Sequence, residues 1–169
     1  MTMPTIQRRS SKYQQRRGRK AHWIRCGRRF EYKGEFNGVT VIDDYAHHPT
    51  EIHASLAAAK HYPHREIWCI FQPHTYTRTK ALFPEFVNAL SQTDHVILAD
   101  IYAARETNTL GISSRDLAEA LKEKGADTYY FPSFEEIENY CLEKCQKGDL
   151  LITMGAGDVV NIGETLLGR

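Results

Sequence analysis

Apolar positions along the chain follow two rhythms that alternate. Short continuous apolar runs at 67–71, 96–99 and 150–154 are each followed by a stretch in which apolar residues recur at helical spacing. Phe83, Phe86, Val87 and Leu90 sit at i, i+3, i+4 and i+7, which is one face of a helix. Ile52, Leu56 and Ala59 follow Pro49, which suits a first helical turn because its missing N–H is not needed there. Ser113 with Asp116, and Ser133 with Glu136, have capping-box spacing. The first pair opens a helix through Leu117 and Leu121 that Gly125 stops. The second opens one whose stripe is Phe134, Ile137, Cys141 and Cys145. Val159, Ile162 and Leu166 mark a last helix, and 128–131 reads as a strand. Nearer the start, Phe30 and Tyr32 alternate with polar residues, Asn37-Gly38 suits a type I′ hairpin turn, and 39–43 is the returning strand. Continuous apolar strands are covered on both faces, as in a parallel sheet between helices. The pattern predicts an α/β fold: a Rossmann-like, open, mostly parallel sheet with helices on both faces and an initial β-hairpin.

Composition fits one soluble domain: 169 residues, 41% apolar and 25% charged. No apolar run approaches the ~20 residues of a membrane span, and no apolar stretch follows the basic start as a secretory signal requires. The net charge of +1 conceals an asymmetry. Ten of the 22 Lys and Arg, and none of the 21 acids, fall in residues 1–29. Residues 30–169 therefore carry 12 basic and 21 acidic side chains, a net of −9. Residues 1–26 are predicted to be a basic head, disordered or non-native, with RNA or acidic lipid as the partners its charge would suit. The acidic body argues against nucleic acid as the partner of the rest. The four cysteines form no Cys-x-x-Cys and lie at no zinc-ligand spacing, so reduced thiols in a cytoplasmic protein and no metal site are expected.

In an open parallel sheet, ligands bind beyond the carboxyl ends of the strands. Four such ends carry chemistry. Asp43-Asp44-Tyr45-Ala46-His47-His48-Pro49 runs from a strand into a helix N-terminus that favours anions. There Asp44 could hold a ribose hydroxyl or a magnesium-bound water, and His47 or His48 a phosphate or carboxylate. Asp44 or His48 could also simply cap the helix. Gln72-Pro73-His74-Thr75-Tyr76-Thr77-Arg78-Thr79-Lys80 offers His74 and Arg78 to a carboxylate, and is otherwise a solvated basic loop. In Asp100–Glu106, Arg105 and Glu106 could pair with each other. Met154-Gly155-Ala156-Gly157-Asp158 fails as a dinucleotide fingerprint, because the third glycine position holds Val160 and the motif follows the last strand. Tight packing is its expected role. There is no P-loop and no Gly-x-Ser-x-Gly elbow. The residues thus indicate an α/β domain that binds a small anionic molecule.

The same residues resemble the carboxy-terminal domain of the Mur ligases over 27–169. The anchors are Gly27-Arg28-Arg29-Phe30, Asp43-Asp44-Tyr45-Ala46-His47-His48-Pro49-Thr50-Glu51, Gln72-Pro73-His74 with Tyr76-Thr77-Arg78-Thr79, and Met154-Gly155-Ala156-Gly157-Asp158. The resemblance implies one domain of three in an ATP- and magnesium-dependent ligase of peptidoglycan synthesis. The likeness is to members that join L-alanine to UDP-N-acetylmuramate, with members that join a peptide as the alternative. In such a reaction ATP phosphorylates the sugar nucleotide's carboxylate, the amine attacks the acyl phosphate, and phosphate leaves. The resemblance implies substrate-binding roles for Tyr45, His47, His74 and Arg78, and nucleotide-side roles for Arg29, Asp44 and His48. Thr75 stands where many members carry Arg. No catalytic base is assigned. Without a P-loop the isolated chain is expected to be inactive, with ATP and magnesium bound mainly by the missing central domain. Outside that class, a non-catalytic module with an RNA-binding head is the remaining alternative.

Overall fold

The computed structural model describes residues 29–169. The expectations for the basic head, Cys26, Gly27 and Arg28 lie outside the described residues. In chain order the elements are β1 (Glu31–Phe36), β2 (Val39–Asp44), α1 (Pro49–Ala59), β3 (Ile67–Phe71), α2 (Tyr76–Ala81), α3 (Phe83–Leu90), β4 (His95–Leu98), α4 (Ser114–Glu123), β5 (Asp127–Tyr130), α5 (Phe134–Lys144), β6 (Leu150–Met154) and α6 (Val160–Leu166). The strands form one sheet in the order β1-β2-β6-β3-β4-β5. Among the described residues only β1 pairs antiparallel, with β2, and the other four pairings are parallel. Asn37 and Gly38 join β1 to β2 with φ of 49° and 79°, the double positive φ of a type I′ turn.

Successive residues of the central strands point into different layers. Ile67, Cys69 and Phe71 pack with Ile42 and Ile152 against Ile52 and Leu56 of α1, Phe86 and Leu90 of α3, and Leu117 and Leu121 of α4. Trp68, Ile70, Val41 and Leu151 face the other way, against Ile137 and Cys141 of α5 and Ile162 and Leu166 of α6. This two-sided burial explains why the strands read as unbroken apolar runs. Each such Leu, Ile or Phe contributes about 1.5–3 kcal/mol relative to exposure.

The fold class is as the sequence predicts, with element edges within one residue for β2, β4 and β5. The segment 72–80 is not only a loop, because α2 begins within it at Tyr76. Apolar periodicity could not show a six-residue helix of mostly polar side chains with a single buried residue, Thr79. Strand order was also beyond the pattern: β6, last in sequence, inserts between β2 and β3. That insertion aligns the carboxyl ends of five strands in one row. Asp44 pairs with Met154, Met154 with Phe71, Phe71 with Leu98, and Leu98 with Tyr130.

Candidate functional site at the carboxyl rim of the sheet

The loop after β2 is built by Asp44. The residue is 1% exposed, and its carboxylate accepts from the Ala46 N–H at 2.9 Å and the Ser55 hydroxyl of α1 at 2.6 Å. These bonds fix the turn that presents Tyr45 and His47. Beside it, buried Asp43 accepts from the Thr153 hydroxyl at 2.8 Å, tying β2 to β6. His48 is the N-cap of α1, its Nδ1 accepting from the Thr50 N–H at 3.3 Å. Arg29 forms an ion pair with Glu51 in the first turn of α1. Glu51 in turn lies 3.8 Å from His47 Nδ1.

The loop after β3 converges on the same point. Tyr45 and His47 are edge-on at 5.3 Å between ring centroids, His47 and His74 are 5.8 Å apart, and His74 stacks on Tyr102 at 5.6 Å. His47 Nδ1 lies 2.9 Å from the Tyr45 carbonyl. A carbonyl only accepts, so that nitrogen carries the proton. His74 Nδ1 is 3.3 Å from Arg78 Nη1. A guanidinium only donates, so His74 Nδ1 is the acceptor and its neutral ring carries the proton on Nε2. Burial pushes the His74 value below that of an ordinary imidazole, and the Arg78 and His47 charges add to this while Glu106 opposes it. Arg78 forms no ion pair among the described residues.

The structure therefore brings Tyr45, His47, His74 and Arg78 into one cluster. Arg29 and His48 adjoin it through Glu51 and the start of α1, and Asp44 lies beneath. The fourth strand end packs as expected: a Cβ at Gly157 would lie 2.5 Å from Gln72 Oε1 and 2.7 Å from the Tyr102 ring. Gln72 locks this turn to β3 by donating to Asp158 Oδ1 at 2.8 Å and accepting from the Val159 N–H at 3.2 Å.

At the third strand end, Arg105 and Glu106 could have paired with each other, and Glu106 has other partners. Glu106 instead accepts from the Tyr76 N–H at 2.7 Å, the Thr77 N–H at 3.1 Å and the Thr77 hydroxyl, at the start of α2. Neighbouring opposite charges suggested a local pair, yet the orphan N–H groups of a helix N-terminus were the better partner. Tyr102, 37% exposed, is the site residue that sequence reasoning did not single out. Its position four residues beyond β4 was the available signal. Among the described residues, no group of three or more His, Cys, Asp or Glu side chains could hold a metal ion.

Residues 28–157 match the family described as Mur ligase, glutamate ligase domain. The chain is 65% identical over 140 residues to the UDP-N-acetylmuramate–L-alanine ligase of Lachnospira eligens, covering 83% of this chain and 30% of that protein. A relative of that description from Lachnoclostridium phytofermentans is 61% identical over 140 residues, with 83% and 30% covered. The chain thus spans about 30% of the length of these curated relatives. Among solved structures, the UDP-N-acetylmuramate-alanine ligase of Thermotoga maritima superposes with a TM-score of 0.65 at 26% identity, over 84% of this chain and 29% of that one.

Proposed function

With the chain a member of the Mur ligase family, we propose that it is the amino-acid-side domain of an ATP-dependent ligase joining L-alanine to UDP-N-acetylmuramate. The observation that carries this is the pairing of His74 and Arg78: a permanent cation with no carboxylate partner among the described residues, beside a neutral imidazole. Such a pair suits the carboxylate of a small amino acid, which Arg can take with two charge-assisted hydrogen bonds. Tyr45, His47 and Tyr102 wall the space around it. His47 carries its proton on Nδ1, held by the Tyr45 carbonyl, which orients the ring.

Arg29, Asp44 and His48 form the nucleotide side. Asp44 acts there by shaping the loop, because both its oxygens are engaged within the protein. Buried and bonded in this way, it does not fit as a magnesium ligand. ATP binding falls mainly to the portion of the ligase that carries a P-loop, and the reaction belongs in the cytoplasm, where ATP is supplied. The attacking amine must be neutral, and positive side chains near the acyl phosphate offset the charge that grows as it reacts.

The test is a chimera in which this chain replaces the matching segment of the Lachnospira eligens ligase. Release of phosphate from ATP that requires both UDP-N-acetylmuramate and L-alanine supports the proposal. Turnover with a peptide in place of L-alanine would favour the peptide-joining alternative, and no turnover with either would contradict both. The chain alone is expected to release no phosphate.

A further inference from the structure

We propose that Glu106 is the positioning residue of the amino-acid site: from the loop after β4 it holds α2 in the register that aims Arg78 and His74 at the substrate carboxylate. This rests on the reading of His74 and Arg78 given above. α2 has six residues, too few to be stable alone, since helix nucleation is costly and isolated helices of this length do not persist. Its N-cap is strained as well. Thr75 is β-branched yet has φ of 65°, a strained conformation that persists only where its surroundings impose it. Its own cap bond, from the Arg78 N–H to Thr75 Oγ1, is long at 3.4 Å.

The missing restraint comes from the neighbouring loop. The Thr75 N–H donates to the Tyr102 carbonyl at 2.9 Å, and the Tyr102 N–H to the Pro73 carbonyl at 2.8 Å. Glu106 then takes both leading N–H groups of α2 and the Thr77 hydroxyl on one carboxylate. It is itself held in a turn by its N–H donating to the Ala103 carbonyl at 2.9 Å. An anion at a helix N-terminus is favoured by the backbone dipoles, which adds to the clamp. Arg78 lies two residues into the clamped turn, and its reach toward His74 follows from that register. The Glu106 carboxylate bonds to Tyr76 and Thr77 rather than to Arg78 or His74, so it positions the pair through α2.

The experiment uses the chimera with Arg78→Ala, Glu106→Ala and Glu106→Gln. The carboxylate contact is made equally in the ground and transition states, so its loss raises KM and spares kcat. Arg78→Ala raises the KM for L-alanine about thirtyfold, and Glu106→Ala about tenfold, the scale of charge-assisted hydrogen bonds. In Glu106→Ala, kcat and the KM for ATP stay within about twofold. Glu106→Gln keeps an acceptor for the two N–H groups and recovers part of the loss. A general loss of folding would instead lower active fraction and kcat for every substrate. In the isolated chain, an NMR titration of His74 in Glu106→Gln gives a lower value than in the wild type, because a neighbouring negative charge is gone. An unchanged KM for L-alanine in both Glu106 variants, with a raised KM in Arg78→Ala, overturns the positioning role alone. An unchanged KM in Arg78→Ala overturns the carboxylate grip and this role with it.

Discussion

The two ends of the sheet carry similar side chains and use them in opposite ways. At the amino end, Asp149 is fully buried at its side chain and accepts from Arg65 Nε at 2.7 Å, Arg65 Nη2 at 3.0 Å, the Trp68 indole at 3.0 Å and the Gln146 N–H at 2.8 Å. Nearby, His95 stacks on Trp68 at 3.9 Å and bridges Glu66 and Asp127. Each of these charges is paired with another. At the carboxyl end, Arg78 meets a neutral imidazole, aromatic rings stand in a row, and a threonine is held at positive φ. Saturated polar networks rigidify, whereas groups held in place but unsaturated by the protein can serve a ligand. The parallel topology decides which end is which, because it puts every connecting loop that starts a helix on the carboxyl rim.

The comparison breaks most decisively at Asp149. Asp149→Ala strips the Trp68 indole and the Gln146 N–H of their acceptor and should cost about 3 kcal/mol, measured by urea unfolding of the chain. It should leave KM values of the chimera unaltered. A cost below about 1 kcal/mol would show that the amino end is not a stabilising network. Gly157→Ala at the other end should cost about 1–3 kcal/mol through overpacking against Gln72 and Tyr102, and it should also raise the KM for L-alanine by displacing the Tyr102 wall. Destabilisation without a change in KM would remove Tyr102 from the site.

The pH dependence sharpens the contrast with a smaller effect. Burial lowers the His95 value while the Glu66 and Asp127 hydrogen bonds raise it, and the net direction is upward. A group with a raised folded value stabilises fully below its unfolded value, and that contribution is lost as pH rises through the folded one. Melting temperature should therefore fall by about 2 °C above neutral pH in the wild type and stay flat in His95→Gln. Asp149 works on the opposite limb. Its carboxyl is held below the usual range by Arg65 and N–H donors against the opposing effect of burial, so its contribution is present near neutrality and lost in acid.

Most of the fold was legible because burial on two faces writes itself as unbroken apolar runs, seen in Ile67–Phe71 and Leu150–Met154. The hairpin was legible because a type I′ turn needs residues like Asn37-Gly38. The cluster of Tyr45, His47, His74 and Arg78 was anticipated because all four lie in the segments that follow β2 and β3. Three features were hidden. Pairing between distant strands leaves no local periodicity, so the place of β6 could not be read. The short helix α2 depends on Glu106, thirty residues away from Tyr76, rather than on its own pattern. The Asp44 carboxylate could have faced a ligand, yet its bond to Ser55, nearly two turns into α1, turns it inward. Side-chain hydrogen bonds across elements are set by tertiary approach and are silent in a single sequence.

The central claim is that the rim recognises a carboxylate through Arg78, and it is tested most directly by comparing L-alanine with L-alaninamide, which lacks that charge. In the chimera, kcat/KM for each should be measured with Arg78 intact and in Arg78→Ala. The account predicts a preference for L-alanine of about thirtyfold or more with Arg78 present, which collapses to within about threefold in Arg78→Ala. The same preference in both proteins would contradict it.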